Sequence, residues 1–148
     1  MTAWLAFLWL FVPGFTACAE FGSYAFVHPV LRQFDRQNHV IAEKGLVKTF
    51  GRIMPVLMTA SLVLLISGAV DLGGATLPVL AAVLWGIALV TTIIVNVPIN
   101  FRTHFWQDDE STAGAWSGMR RLWEVFQGVR SWLFLISFAL VCAHVAVS

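Results

Sequence analysis

Apolar residues run along this chain in four long stretches, without the strict alternation of a half-buried β-strand. A membrane-spanning helix needs about 20 mostly apolar residues, and each stretch meets that length. Backbone groups in lipid must satisfy their own hydrogen bonds, so continuous apolar runs favour helices over a barrel. The pattern predicts an all-α membrane protein of one domain, 1–148, with four spans at about residues 3–31, 46–70, 78–104 and 117–147.

Three short connections join the spans. The first is polar (RQFDRQNHVIAEK), the second is a glycine turn (DLGGAT), and the third is acidic (QDDESTAG). Short connections predict adjacent antiparallel helices, and hence an up-down-up-down four-helix bundle. The first and last spans are longer than a bilayer requires, so they are expected to tilt or to extend into the cytosol. Pro13, Pro55 and Pro98 are expected to kink their helices.

Composition agrees with a membrane protein. Hydrophobic residues make up 59% of the chain and charged residues 11%, and the mean hydropathy is +0.81, whereas a soluble domain carries roughly a quarter charged residues. No basic tract indicates a nucleic-acid partner. The first span lacks the positively charged start of a cleavable signal peptide, so it is expected to be retained. Cys18 and Cys142 are isolated and predict neither a disulfide nor a zinc site.

The basic residues predict an orientation. All nine lie in or beside the first and third connections, which share one side of the membrane. The positive-inside rule then places both termini outside and those two connections in the cytoplasm. The nine residues are Arg32, Arg36, Lys44, Lys48, Arg52, Arg102, Arg120, Arg121 and Arg130.

Polar residues inside the spans indicate a site. Ionisable groups there are costly to bury, by about 2.5–3.5 kcal/mol on the insertion scale, and are therefore candidates for function. Residues spaced by four share one face of a helix. Two spans carry such stripes: Glu20, Tyr24 and His28 on the first, and Asn96, Asn100 and His104 on the third.

The other two spans add polar groups at a similar depth, namely Arg52 on the second and Glu124, Gln127 and Arg130 on the fourth. Four helices that gather polar groups at one end predict a cavity open toward the cytosol. Simpler roles exist for several residues. Tryptophans 106, 116, 123 and 132 suit interfacial anchors as well as pocket walls, and the two asparagines suit interhelical hydrogen bonds. Residues assigned no role, or only an interfacial charge, are His39, His144, Arg102, Arg120 and Arg121.

The chemistry that fits such a cavity is general-base catalysis. A carboxylate or imidazole in an apolar pocket suits removal of a proton from a phenol or an activated carbon acid. Arginine and asparagine side chains suit stabilisation of the resulting oxyanion. The sequence has no G-x-S-x-G motif and no glycine-rich phosphate loop.

Two motifs resemble the anthrone oxygenase-like family of small four-helix membrane proteins. N-V-P-I-N at 96–100 resembles the family's Pro-x-Asn at the end of the third helix, through Pro98 and Asn100. The run W-S-G-M-R-R-L-W-E, followed by Arg130, resembles its Trp-Arg-Trp…Arg pattern. The matching residues of this run are Trp116, Arg120, Trp123 and Arg130, and His28-Pro29 and Arg52 before Pro55 fit less specifically.

The resemblance implies oxygenation of a polycyclic phenolic substrate, anthrone to anthraquinone, without an evident metal or flavin. A lipophilic small molecule and membrane lipid are then the expected partners, and homo-oligomerisation stays open. The candidate bases are His28 and Glu20, with Glu124 behind them. The candidate substrate-binding residues are Tyr24, Arg52, Asn96, Asn100, Trp106, Trp123 and Arg130.

Two other interpretations stay open at this stage. One is a metal- or haem-binding membrane protein, a metallo-oxygenase or an electron-transfer partner, with His28, His104 and Glu20 as ligands. The sequence lacks the Glu-x-x-His motif of carboxylate-bridged di-iron bundles. The other is a non-catalytic membrane subunit whose polar residues hold the helices together.

Overall fold

A computed structural model describes residues 2–107 and 109–147, and this part of the chain contains helices and turns but no strand. Four helices dominate it, each long and apolar enough to cross a membrane. They are α1 (Ala3–Leu31), α2 (Arg36–Asp71), α3 (Thr76–His104) and α4 (Ala113–Val147), the last preceded by a 3₁₀ turn at Glu110–Thr112. The predictions of an all-α fold and of an integral, multi-pass membrane protein are confirmed.

The helices form a closed ring of neighbours. Each helix packs on the next one along the chain, and α1 also packs on α4. The turn between α2 and α3 is tight because Gly73 and Gly74 both take positive φ angles, 65° and 77°, a conformation that costs glycine little. The first and third connections lie at the opposite end of the bundle, which we call the basic end.

The second helix begins ten residues earlier than its apolar run, which corrects the predicted polar loop. The side chain of Asp35 accepts a hydrogen bond from the backbone N–H of Asn38 and caps α2. Hydrogen bonds from Asn38 also lower the pKa of the Asp35 carboxyl. The connection therefore shrinks to a few residues, and α2, with 36 residues, exceeds the length of its predicted span. Hydropathy does not detect a polar helix that extends beyond the apolar core of the membrane.

Two π-helical turns interrupt the spans near the basic end, at Ser23–Val27 in α1 and Thr92–Asn96 in α3. Each ends two residues before a proline, Pro29 or Pro98. Proline lacks an N–H and its ring crowds the carbonyl four residues earlier. A π-turn bonds five residues back and widens the helix, so it accommodates the ring without breaking the span. Sequence spacing therefore does not translate directly into a helix face beyond these turns.

The half of the bundle away from the basic end is an apolar core. Trp85 of α3 is fully buried against Phe134 of α4, with ring centroids 4.3 Å apart, and its Nε1 donates to the Met58 carbonyl at 3.0 Å. Small polar side chains bond across helices, as Ser137 Oγ does to the Ala81 carbonyl at 2.7 Å. This half fixes the helix positions from which the polar half is built.

We predict that Gly68→Ala destabilises the bundle. A Cβ at Gly68 would lie 2.6 Å from Cδ1 of Trp9, a buried ring with little room to move. Overpacking of this kind costs about 1–3 kcal/mol. Gly86→Ala is the matched control, because its Cβ would only touch Leu62 at 3.9 Å. Thermal unfolding in detergent micelles measures both. Equal stability of the two variants would show that Trp9 does not hold α2 at this distance.

Candidate functional site

A pocket of about 410 Å³ lies between the helices in the half toward the basic end. Its interior carries polar side chains of α1 and α4, and apolar residues of α2 and α3 form much of its wall. Its exposed rim residues lie on the sides of two helices, Gly51 and Pro55 on α2 and Val97 and Phe101 on α3. The mouth therefore faces sideways between α2 and α3.

Glu20 is the most deeply placed charge in the pocket. It is only 1% exposed, and its Oε2 accepts from Arg130 Nη2 at 2.8 Å and from Gln127 Nε2 at 2.9 Å. Arg130 also donates through Nη1 to Thr92 Oγ1 at 3.3 Å. The second carboxylate oxygen, Oε1, has no hydrogen-bond partner among the described residues. One oxygen is thus fixed by α4, and the other remains available to a ligand.

Trp123 is held in place by the two asparagines of α3. Its Nε1 donates to Asn100 Oδ1 at 2.7 Å, and its backbone carbonyl accepts from Asn96 Nδ2 at 3.3 Å. The ring packs on the His28 imidazole, with centroids 4.7 Å apart. The asparagines at the end of the third span therefore position an aromatic wall of the pocket.

A second charged cluster surrounds Glu43, near the start of α2. Glu43 is 1% exposed, and its Oε1 lies 2.7 Å from Arg120 Nη2 and 3.3 Å from both His28 Nδ1 and His39 Nε2. These contacts are close in distance, although their angles are not those of aligned hydrogen bonds. The Arg120 guanidinium also stacks over Trp123, 4.2 Å from its ring centroid. One guanidinium and two imidazoles therefore converge on one buried carboxylate.

Five of the predicted site residues share the pocket. Glu20, His28, Asn100, Trp123 and Arg130 all line it. They come from α1, α3 and α4, which the sequence places far apart, so the predicted convergence of polar stripes around a common cavity holds for these side chains. Asn96 is fully buried beside them and acts through its bond to Trp123.

The remaining predicted residues lie outside this pocket. Arg52 is exposed on α2. Glu124 is half-buried and pairs with Arg32 at 3.3 Å. Trp106 lines a separate surface depression beyond α3. Tyr24 packs against Gly128 of α4, outside the cavity that Glu20 lines. With His28 and Glu124 it lines a separate, smaller pocket of about 170 Å³. The four-residue spacing of the stripe assumed an unbroken α-helix, whereas a π-turn lies at Ser23–Val27.

The alternative metal set is not assembled. Although His28, His104 and Glu20 all line the pocket, no three His, Cys, Asp or Glu side chains among residues 2–107 and 109–147 form a group that could hold a metal ion. The expectation that the chain uses no resident metal, haem or flavin stays a prediction.

Sequence reasoning missed the cluster at Glu43. Glu43 was assigned to a loop, His39 to no role, and Arg120 to the charged interface, yet Glu43 and Arg120 are buried and His39 faces them. The available signal was the His39–Glu43 pair at a four-residue spacing, four residues after an Asp cap. Together these features indicate a helical start with a charged inner face.

We predict that Arg130→Met destabilises the protein by about 3–5 kcal/mol, because it leaves the Glu20 carboxylate buried without its cation. The double variant Glu20→Gln with Arg130→Met removes both charges and is expected to recover most of the loss. Thermal unfolding in micelles measures this, with Arg121→Met, an exposed arginine of the same helix, as the control. If Arg130→Met alone is as stable as the wild type, the ion pair does not stabilise the fold.

Comparison with known proteins gives one family. Residues 41–140, well over half of the chain, match the family model described as anthrone oxygenase. The matched range contains most of α2, all of α3 and most of α4, and so includes Glu43, Asn100, Arg120, Trp123 and Arg130. No curated protein and no solved structure matches the chain. By this match to its sequence, the chain belongs to the anthrone oxygenase family.

Proposed function

We propose that this protein is a membrane-embedded oxygenase that deprotonates a lipophilic, anthrone-like phenolic substrate inside the pocket. One observation carries the proposal: a carboxylate oxygen without a partner, Glu20 Oε1, and an imidazole, His28, line the same largely apolar cavity. Buried acid–base groups in a concave apolar site are the usual signature of a reaction centre. The family assignment supports an oxygenase-type reaction.

The size and walls of the pocket suit a flat aromatic molecule. Its volume of about 410 Å³ falls within the range of about 300–1,000 Å³ typical of small-molecule sites. Trp123 and Phe50 offer aromatic surface, and Met54 and Met58 offer adaptable apolar surface. The sideways mouth at Gly51, Pro55, Val97 and Phe101 would admit a substrate dissolved in the bilayer.

The reaction balances with dioxygen as the only co-reactant. An anthrone carries a CH₂ group between two aromatic rings, and its conversion to a carbonyl takes up one O₂ and releases one water. A base removes the first proton, and the electron-rich anion then transfers an electron to O₂ and forms a C–O bond, giving a hydroperoxide after protonation. Loss of the second C–H proton, with cleavage of the O–O bond and departure of hydroxide as water, leaves the carbonyl.

We assign different roles toward the substrate to His28, which would accept a proton, and to Glu20, which would accept a hydrogen bond. His28 has its Nδ1 against Glu43, and its Nε2 has no partner among the described residues, so Nε2 is the candidate base. Glu20 Oε1 is the candidate acceptor for a phenolic hydroxyl, since Arg130 and Gln127 hold the other oxygen. The proposed chemistry requires no resident cofactor.

The proposal includes an orientation of the protein in the membrane. The basic connections are proposed to lie in the cytoplasm with both termini outside, because the basic residues other than the buried Arg130 lie in or toward them. The substrate would then react on the cytoplasmic side of the membrane while it remains in contact with lipid.

We predict that His28→Ala and Glu20→Gln each lower the rate of anthrone oxidation by about 100-fold or more, the range of general acid–base effects. Purified protein in lipid nanodiscs is mixed with anthrone, and oxygen uptake and anthraquinone absorbance are followed after subtraction of the uncatalysed oxidation. His144→Ala, at the other end of the bundle, and Glu110→Gln, exposed in the third connection, are the controls. Wild-type rates in folded His28→Ala and Glu20→Gln proteins would refute the proposal.

A further inference from the structure

The buried carboxylate of Glu43 is left without a role by the proposed chemistry. Glu43 lines the same pocket as Glu20, and its charged and imidazole neighbours come from α1, α2 and α4. A lone buried carboxylate is strongly unfavourable unless it is paired, and a single arginine would be sufficient for that purpose. Instead, one arginine and two imidazoles lie close to the same oxygen of Glu43, Oε1.

We propose that Glu43 is the positioning residue of His28, a carboxylate that fixes the imidazole with its proton on Nδ1 and stabilises the imidazolium formed when Nε2 accepts a proton. This inference rests on the proposed function, because it assigns His28 as the base. Glu43 itself touches neither substrate nor reacting atoms in this scheme, so it acts through His28.

The tautomer follows from the contact. The contact is not an aligned hydrogen bond, but a carboxylate 3.3 Å from Nδ1 favours through its charge the tautomer with the N–H on that nitrogen. That tautomer leaves the lone pair on Nε2. Carboxylates that orient histidines in this way occur in hydrolase triads and around metal-bound histidines. The Trp123 ring packed on the imidazole, 4.7 Å between centroids, limits its rotation. Two independent contacts therefore define one ring orientation.

Glu43 is itself oriented from two sides. Arg120 Nη2 lies 2.7 Å from its Oε1, and the guanidinium is held over the Trp123 ring. His39, one helical turn earlier on α2, lies 3.3 Å from the same oxygen, and its Nδ1 accepts from Trp116 Nε1 at 3.5 Å. Arg120 and Trp123 thus link the orientation of Glu43 to that of His28.

The positioning role differs from a purely structural one in its expected kinetics. If Glu43 only neutralised Arg120, its replacement would alter stability and leave the chemistry unchanged in protein that still folds. If it fixes His28, Glu43→Gln keeps the shape of the side chain but allows the amide to donate to Nδ1, which selects the wrong tautomer. We expect kcat to fall by about 100-fold or more while KM changes less than about threefold, because in this scheme Glu43 acts on the orientation of His28 and not on the substrate.

The experiment compares wild type, Glu43→Gln, Glu43→Asp and the control Glu110→Gln in nanodiscs with anthrone. Glu43→Asp keeps the charge and is expected to recover part of kcat, whereas Glu110→Gln is expected to match the wild type. Should Glu43→Gln fail to fold, the double variant Glu43→Gln with Arg120→Met, which removes both charges of the pair, replaces it. An unchanged kcat in a folded variant that lacks the Glu43 carboxylate would overturn the proposal.

A second readout does not depend on turnover. ¹⁵N NMR of histidine-labelled protein distinguishes the two neutral tautomers of His28, assigned by the loss of its signals in His28→Ala. The proposal requires the Nδ1–H form in the wild type and a shift toward the Nε2–H form in Glu43→Gln. The same tautomer in both proteins would overturn it. Wild-type protein that shows this shift but does not oxidise anthrones would refute the proposed function and retain the Glu43–His28 coupling.

Discussion

The ion pair between Glu20 and Arg130 is the interaction on which the arrangement of the site depends. It joins α1 to α4 near the middle of the bundle, where both side chains are buried. The pair is completed by Gln127 on one side and Thr92 on the other, so three helices are tied to one carboxylate. Buried pairs of this kind contribute little net stability but make a rearrangement that separates them costly. The consequence is a fixed geometry at the base of the pocket.

The prolines and π-turns give the same half of the molecule its width. Both π-turns end two residues before a proline, and both contribute to the site, Ser23 and Thr92 to the pocket wall and Asn96 to the hold on Trp123. Single π-turns inside α-helices are frequent at functional sites, and here both lie at the level of the cavity. On the side of the π-turns away from the basic end, α1 and α3 continue as α-helix and pack in the apolar core.

Hydropathy and spacing predicted much of this fold but only part of the site. Four apolar runs identify four helices because lipid imposes one solution on the backbone. The four-residue spacing correctly joined Glu20 to His28 and Asn96 to Asn100, but it misplaced Tyr24, because a π-turn intervenes. Glu43 escaped detection for a different reason: it lies outside the apolar run, and its burial arises from α4 covering the polar start of α2. The His39–Glu43 spacing indicates a charged helical face, but the burial of that face depends on contacts between helices, which a single-helix pattern does not contain.

The two carboxylate–arginine pairs would favour the proposed acid–base reaction inside a membrane. Glu20 with Arg130 and Glu43 with Arg120 are each neutral in sum, so neither buried carboxylate stands as an isolated charge beside His28. In the proposed reaction, transfer of a substrate proton to His28 would create an imidazolium and a substrate anion in contact with each other, which a medium of low dielectric tolerates far better than two separated ions. The anion would form between this new cation and fixed dipoles. Oxygen, which is neutral and soluble in lipid, would reach the anion without crossing a charged barrier. If the base lay farther from the substrate, the two ions would be separated, and water in the pocket would be needed to solvate them. That water would then compete with the protein for hydrogen bonds to the anion.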